Sequence, residues 1–267
     1  MSEQKSAQNK RSKDSIANVL IVTISLCLVC SVMVSTAAVV LKPIQERNKL
    51  LDRKKNILNS AAIYDPGRDI EEQFQQVEIL VVELATGEIV DHVSVEDYDL
   101  NNVLKDPSMS LAIAEEEDIA KLRRQEKYAL FYLVKDQEDQ IKYIILPIRG
   151  AGLYSTLYGF LALKADGNTV QGLSFYDQGE TPGLGGEIVN PKWRAKWRDK
   201  RIYDDAGATR IELVKGPVDY NQAQAVYQVD AIAGATLTSR GVGNLMRFWF
   251  GEQGYKALLE RIAVPEG

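Results

Sequence analysis

Apolar positions run almost unbroken from Ser15 to Leu41. The stretch Ile16-Ala-Asn-Val-Leu-Ile-Val-Thr-Ile-Ser-Leu-Cys-Leu-Val-Cys-Ser opens a segment with no Asp, Glu, Lys or Arg. It is long enough to cross a bilayer with some tilt and predicts a transmembrane helix over 15–41. A secretory signal is the other way to read basic residues before an apolar run. Its apolar region is shorter, however, so a retained anchor is the better fit. From Lys42 the pattern changes. Ile44, Leu50, Leu51, Ile57 and Leu58 recur at helical spacing among charges, which predicts a juxtamembrane helix over 42–62. Pro66-Gly67 then breaks the helical pattern.

Strand-like segments follow. Val77 to Val90 reads as a strand, a Thr86-Gly87 turn and a second short strand. Leu130–Val134 and Lys142–Pro147 flank a charged turn, and Tyr158–Leu163 and Val170–Phe175 flank Asp166-Gly167-Asn168. Near the end Val242, Leu245, Met246, Trp249 and Phe250 share one face of a helix predicted from about Ser239 to Ile262. Antiparallel hairpins with a few helices predict an α+β domain over 63–267, behind a tail over 1–14 and a single transmembrane helix.

Charge and composition narrow the chemistry. A net charge of -5 implies no basic face for nucleic acid. One histidine and two cysteines leave no zinc-spaced cluster and no Ser/His/Asp set, so neither a metal site nor a hydrolytic triad is expected. Glu115–Asp118 reads as a solvated acidic surface. Cys27 and Cys30 stand three apart inside the apolar span, where cysteine serves as a small packing residue. No ionisable residue lies in that span, so the chain offers no ion path of its own. It carries neither Gly-x-Gly-x-x-Gly nor a P-loop, and thus no recognisable site for NADH or ATP.

Two polar segments carry candidate chemistry. Asp177-Gln-Gly-Glu-Thr-Pro-Gly-Leu-Gly-Gly-Glu187 leaves a strand and leads to a helix from Asn190-Pro-Lys-Trp193. Its glycines let backbone approach a planar ring, and Glu180 and Thr181 offer hydrogen-bonding groups to ring edges. The second, Asp230-Ala-Ile-Ala-Gly-Ala-Thr-Leu-Thr-Ser239, places the Thr236 hydroxyl beside small Gly234 and Ala235. A helix starting just after it suits a phosphate, and Thr238 or Ser239 is placed to cap that helix. Read alone, the same segment is better taken as a strand-to-helix turn with an N-cap.

Together the two segments resemble the FMN-binding domain family. In that family a flavin transferase esterifies the phosphate of FMN onto the threonine of such a motif. The resemblance implies a flavin core over about 145–250, covalent FMN on Thr236, and contacts from Gly183, Gly234, Ala235, Leu237 and Thr238. It also implies that Thr181 and Leu184 meet the isoalloxazine and that Lys215 offsets phosphate charge. Tyr154 stands where the family often has Trp and keeps an aromatic face for the ring. Ala231 and Ala233 replace residues that are often Gly and Ser or Thr, removing one hydroxyl. Trp193 and Trp197 are expected to pack in the core.

Two respiratory ion pumps carry this domain, the sodium-translocating NADH:quinone oxidoreductase and the Rnf-type ferredoxin:NAD complex. Gly152–Ala162, Asp166–Val170, Gly185–Trp193 and Lys54–Leu58 resemble the FMN-domain subunits of the former. The implied role is an electron-carrier subunit, not catalytic alone, in a complex coupling NADH oxidation and quinone reduction to sodium export. Its partners are then the other membrane and peripheral subunits, and a flavin transferase for maturation. An Rnf-type subunit and a non-redox anchored scaffold are the alternatives. The resemblance also implies a bacterial inner membrane with the C-terminal domain in the periplasm. Charge counts lean the other way, because Lys5, Lys10, Arg11 and Lys13 precede the span while Lys42, Arg47, Lys49, Arg53, Lys54 and Lys55 follow it.

Overall fold

The computed structural model describes residues 16–263. The tail assigned to 1–14, with its basic residues, and Ser15 at the start of the expected span lie outside the described residues. The chain divides between Leu50 and Leu51 into two compact units. The first holds most of α1 (Ile16–Ser60), which carries exposed apolar side chains from Ile16 to Leu41. Among the described residues it is the one helix long and apolar enough to cross a membrane, consistent with a single-pass anchor. Cys27 and Cys30 are exposed free thiols along it.

The helices expected over 15–41 and 42–62 are one continuous helix. Pro43 lies inside it without ending it, since a proline removes one backbone hydrogen bond while the neighbouring turns keep theirs. The helix stops before Pro66-Gly67. Ala62 turns left-handed at φ 56°, Ile63 N–H donates to the Leu58 carbonyl at 3.0 Å, and Ala62 N–H donates to that of Asn59 at 3.1 Å. These are the two bonds of a Schellman stop.

In the second unit Ile57 and Leu58 of α1 are buried. Next come α2 (Ile70–Phe74), capped by Asp69, β1 (Val77–Glu83) and β2 (Glu88–Val90). An excursion carries α3 (Leu100–Lys105) and a small antiparallel ladder of β3 (Ser110–Ala112) with β4 (Arg124–Glu126). Then follow β5 (Tyr128–Lys135), β6 (Ile141–Ala151), β7 (Thr156–Lys164) and β8 (Val170–Asp177). The main sheet runs β2-β1-β5-β6-β7-β8, antiparallel throughout. All three hairpins read from the sequence are present, in an α+β domain.

Side-chain alternation gives the sheet two buried faces. Phe131, Leu133, Ile144, Leu146, Leu161 and Leu163 point to one core. Their neighbours Tyr132, Ile145, Phe160 and Ala162 point to the other, where they meet Ile57, Leu58 and Phe74. The globular unit therefore includes the last turns of α1, ahead of the boundary expected at 63. A chain starting at Leu51 should unfold at the same urea concentration as one starting at Pro43, within about 0.5 kcal/mol of stability, followed by circular dichroism. A lower midpoint for the shorter chain would show that 43–50 support the domain.

After β8 come a 3₁₀ turn (Gly185–Val189), α4 (Pro191–Arg194) and a second 3₁₀ turn (Ala195–Trp197). Trp193 and Trp197 are buried core residues, as expected. β9 (Glu212–Val214) follows, then a third 3₁₀ turn (Ala223–Tyr227) and β10 (Gln228–Asp230), which pairs with β9 in a short parallel ladder. The helix expected from about Ser239 to Ile262 is two, α5 (Thr236–Trp249) and α6 (Lys256–Ile262). The break lies at Gly251–Gly254, where Tyr255 N–H turns back to the Trp249 carbonyl at 2.7 Å.

Helix α5 packs directly on β6. A side chain at Gly241 would collide with the Ala151 carbonyl, so glycine is what allows the approach. Trp249 Nε1 donates to the Arg149 carbonyl at 2.7 Å, and Tyr255 OH to that of Pro147 at 2.9 Å. Arg149 is itself buried in an ion pair with Glu126. The start of α5 is thereby held beside the turn that joins β6 to β7.

Candidate functional site

Two loops and the first turn of a helix meet at one carboxylate. β6 ends at Ala151 and β7 begins at Thr156, leaving 152–155 as a tight turn closed by Gly152 N–H to the Ser155 carbonyl at 2.8 Å. Glu180, on the loop after β8, is 4% exposed and accepts from the backbone N–H groups of that turn. The distances are 3.1 Å from Leu153, 2.9 Å from Tyr154 and 3.2 Å from Ser155. The Thr238 hydroxyl on α5 donates to its other oxygen at 2.6 Å. There is no room for larger neighbours. A Cβ on Gly152 would lie 2.6 Å from Glu180 Oε1, and one on Gly185 would collide with the Thr238 hydroxyl. Burial raises the carboxyl pKa, but the bonds from Thr238 and the three amides outweigh it and hold the group below its usual value.

This corrects two expectations. Glu180 turns its oxygens to the protein and not to a ring edge, accepting from three backbone amides and from the hydroxyls of Ser155 and Thr238. Thr238 and Ser239 do not cap α5, because the helix starts earlier. Thr236 is its first residue and Ala235 its N-cap, with no side-chain cap bond. Thr238 and Ser239 fall within the first turn, too late to fold back on the leading N–H groups. Ser239 Oγ instead accepts from Ile232 N–H at 3.0 Å, bracing the turn in which Ala235 N–H meets the Ile232 carbonyl at 3.1 Å.

The remaining expected residues lie around this frame. Thr236 is exposed, and among the described residues its hydroxyl makes no hydrogen bond. Gly234 precedes it at φ 77°, a conformation suited to glycine, and Leu184 Cδ2 stands 3.2 Å from where a Cβ on Gly234 would be. The Gly183-Leu184 and Gly234-Ala235 segments are therefore brought into contact. Leu184, Leu237 and Tyr154 are 45%, 50% and 71% exposed, so each loop tip shows apolar surface to solvent. Thr181 is exposed, and its carbonyl closes the loop by accepting from Leu184 N–H at 3.1 Å and Gly186 N–H at 2.9 Å. Gly183, at φ 75°, has open space beside it.

On the other side of Thr236 lies a cavity of about 570 Å³ between α5 and β9. Lys215 lines it together with Thr236 and Gly234, whereas Tyr154 does not. Arg240 and Arg247 line it too, and sequence reading missed both. The signal was available, since Thr236, Arg240, Gly243 and Arg247 form an i, i+4, i+7, i+11 stripe on one helix face.

Asp230, which opens the second motif, is a brace. It pairs with Lys196 and accepts from Val218 N–H at 2.8 Å, while its carbonyl takes Trp193 Nε1 at 2.9 Å. Burial pushes its pKa up, but the Lys196 and Val218 bonds prevail and hold it below the ordinary aspartate value.

A model of the FMN-binding domain family matches residues 152–251, which span both loops and α5. The chain is 46% identical over 259 residues to the C subunit of the Na(+)-translocating NADH-quinone reductase of Pseudomonas aeruginosa, covering 96% of this chain and 99% of that one. It is 44% identical over 257 residues to the same subunit of Yersinia pestis, covering 94% and 95%. The crystal structure of Shewanella oneidensis NqrC matches with a TM-score of 0.74 at 32% identity, over 82% of this chain and 98% of that one.

Proposed function

Because the chain belongs to the NqrC family of Na+-translocating NADH-quinone reductase subunits, and so is an FMN-carrying electron-transfer subunit, we propose that its flavin is held as a phosphoester on Thr236. Family membership decides against the Rnf-type subunit and the non-redox scaffold. One observation carries the ester reading. Thr236 presents an exposed, unengaged hydroxyl at the first residue of α5, between a cavity with cationic walls and apolar loop tips.

The residues present fit FMN. Free N–H groups in the first turn of α5 favour an anion, and Lys215 faces the same cavity. Leu184, Leu237 and Tyr154 offer apolar surface for the ring, with Thr181 beside them. Bound FMN supplies the electron acceptance and release, and the chain supplies position and surroundings. Glu180 holds the loop carrying Tyr154 against α5, which fixes the surfaces among which a ring tethered at Thr236 must sit. A phosphoester leaves the ring unalkylated and so acts as a tether.

A flavin transferase is the maturation partner in this reading, and the other subunits of the complex supply electron donor and acceptor. The direct test is purification of the chain made with the transferase, denaturation, and peptide mass spectrometry. FMN mass on the peptide containing Thr236 is expected. A denatured chain with no flavin fluorescence would remove the covalent link from the proposal.

The reading includes an inner-membrane anchor with the globular domain in the periplasm. Large domains translocate largely regardless of flanking charge, which accommodates the basic residues after the span. Glu116 is exposed in the acidic surface segment. A Glu116→Cys chain should react with an impermeant thiol reagent in intact spheroplasts, and labelling only after lysis would place the domain in the cytoplasm.

A further inference from the structure

The cavity beside Thr236 has an unbalanced charge. Lys215, Arg240 and Arg247 line it against one carboxylate, Glu212, and Glu212 already accepts from Gln228 Nε2 at 2.8 Å. Among the described residues Lys215 and Arg240 form no ion pair or hydrogen bond. Surface cations commonly lack partners, but these two line one recess from different elements, and Thr236 lines it with them. Lys215 comes from the end of β9, and Arg240 from the first turns of α5.

Spacing makes the relation to Thr236 specific. Arg240 is four residues on, about 6 Å along the axis. Helical side chains lean toward the N-terminus, so a residue covers the turn before its own. That spacing puts Thr236 within the span an Arg240 side chain can cover. Arg247 lies about 16 Å along the axis from Thr236 and donates to Asn244 Oδ1 at 2.7 Å, so it stands apart from the hydroxyl.

We propose that Arg240 and Lys215 form a two-sided clamp on the phosphodiester of the flavin ester at Thr236; this rests on Thr236 being the acceptor. A diester carries one negative charge shared by two non-bridging oxygens. A planar guanidinium matches that pair in a bidentate way, while a lysine ammonium adds a point charge from the end of β9. The clamp makes Arg240 a positioning residue. It fixes the root of the tether, and through it the range the ring explores.

The test uses the full chain, flavinylated and purified in detergent, as wild type, R240Q, R240K, R240Q/K215Q and R247Q. The readouts are the 31P resonance of the diester and the fluorescence anisotropy of the flavin, neither of which requires turnover. R240Q should shift the 31P resonance and lower the anisotropy, and R240Q/K215Q should extend both changes. R240K should fall between wild type and R240Q, and R247Q should match wild type. Unchanged 31P and anisotropy in R240Q and the double variant would overturn the clamp while leaving the acceptor reading intact. Equal effects from R247Q would also overturn it, in favour of a diffuse field or a partner surface. Should R240Q fail to take up flavin, an R240K chain with wild-type resonance and anisotropy overturns the bidentate role, and an intermediate one supports it. Flavin mapped away from Thr236 in the wild type would overturn the acceptor reading and the clamp together.

Discussion

Glu180→Ala should lower the stability of the globular domain by about 2–4 kcal/mol, because it removes an acceptor from three backbone amides and one buried hydroxyl at once. For a domain of this size that corresponds to a fall in Tm of about 5–12 °C. The amides of Leu153 and Tyr154 lie in an exposed turn where water can partly replace the carboxylate, which keeps the figure from rising further. Thr238 is 1% exposed and has no such relief. Glu180→Gln keeps the shape but turns an amide N–H₂ toward groups that are themselves donors, so it should recover only part of the loss. Flavin incorporation should fall with stability, since Glu180 ties the 152–155 turn to α5.

The pH dependence follows from the direction of the shift. Hydrogen bonds hold the folded Glu180 carboxyl below its usual value. Its contribution is therefore fully present above the unfolded glutamate value of about 4.3 and is lost as pH falls through the folded pKa. Thermal melts of wild type and Glu180→Gln between pH 7 and pH 3 should converge as the pH drops. A Glu180→Ala domain melting with wild type, or curves that stay parallel in acid, would show that the carboxylate does not hold the two loops to α5.

What the sequence disclosed follows the range of the interactions. The three hairpins were legible because strand alternation and turn residues such as Asp166-Gly167-Asn168 are local signals. The core placement of Trp193 and Trp197 was legible for the same reason. The charge change at Lys42 marks a change of surroundings, and a helix whose backbone bonds are local runs through it. Ala62 hid the helix end, since a left-handed stop is usually signalled by glycine. Gly251 and Gly254 were visible in the tail, but the apolar stripe on both sides read as one helix.

The motif residues were legible as a set but not in their roles. Glu180 and Thr238 are 58 residues apart, and nothing in either segment shows that the acid of one meets the hydroxyl of the other. Ser, Thr and Asp before an apolar run suggest a cap, and that local habit obscured a long-range bond. The β9–β10 ladder was beyond sequence reading. Each strand has three residues, too few for a period, yet β9 forms the wall that carries Lys215.

Thr236→Ala is expected to abolish covalent flavin while leaving the domain folded. The side chain is exposed and, among the described residues, its hydroxyl has no partner, so the change in stability should stay within about 0.5 kcal/mol. Thr236→Ser should retain some modification, because a hydroxyl remains, although in a less restricted rotamer. Thr238→Ala should do the opposite of Thr236→Ala. It breaks the bond to the Glu180 carboxylate, a loss of about 1.5–3 kcal/mol for a hydrogen bond to a charged group, yet it leaves the proposed acceptor in place. Thr238 and Ser239 are both buried and engaged, by Glu180 and by Ile232 N–H respectively, so neither can be esterified unless the start of α5 opens. Flavin fluorescence of the denatured chains, peptide mass spectrometry and thermal melts separate the two effects. FMN on Thr238 or Ser239, or FMN persisting in Thr236→Ala, would mean that the buried hydroxyls become accessible and that Thr236 is not the acceptor.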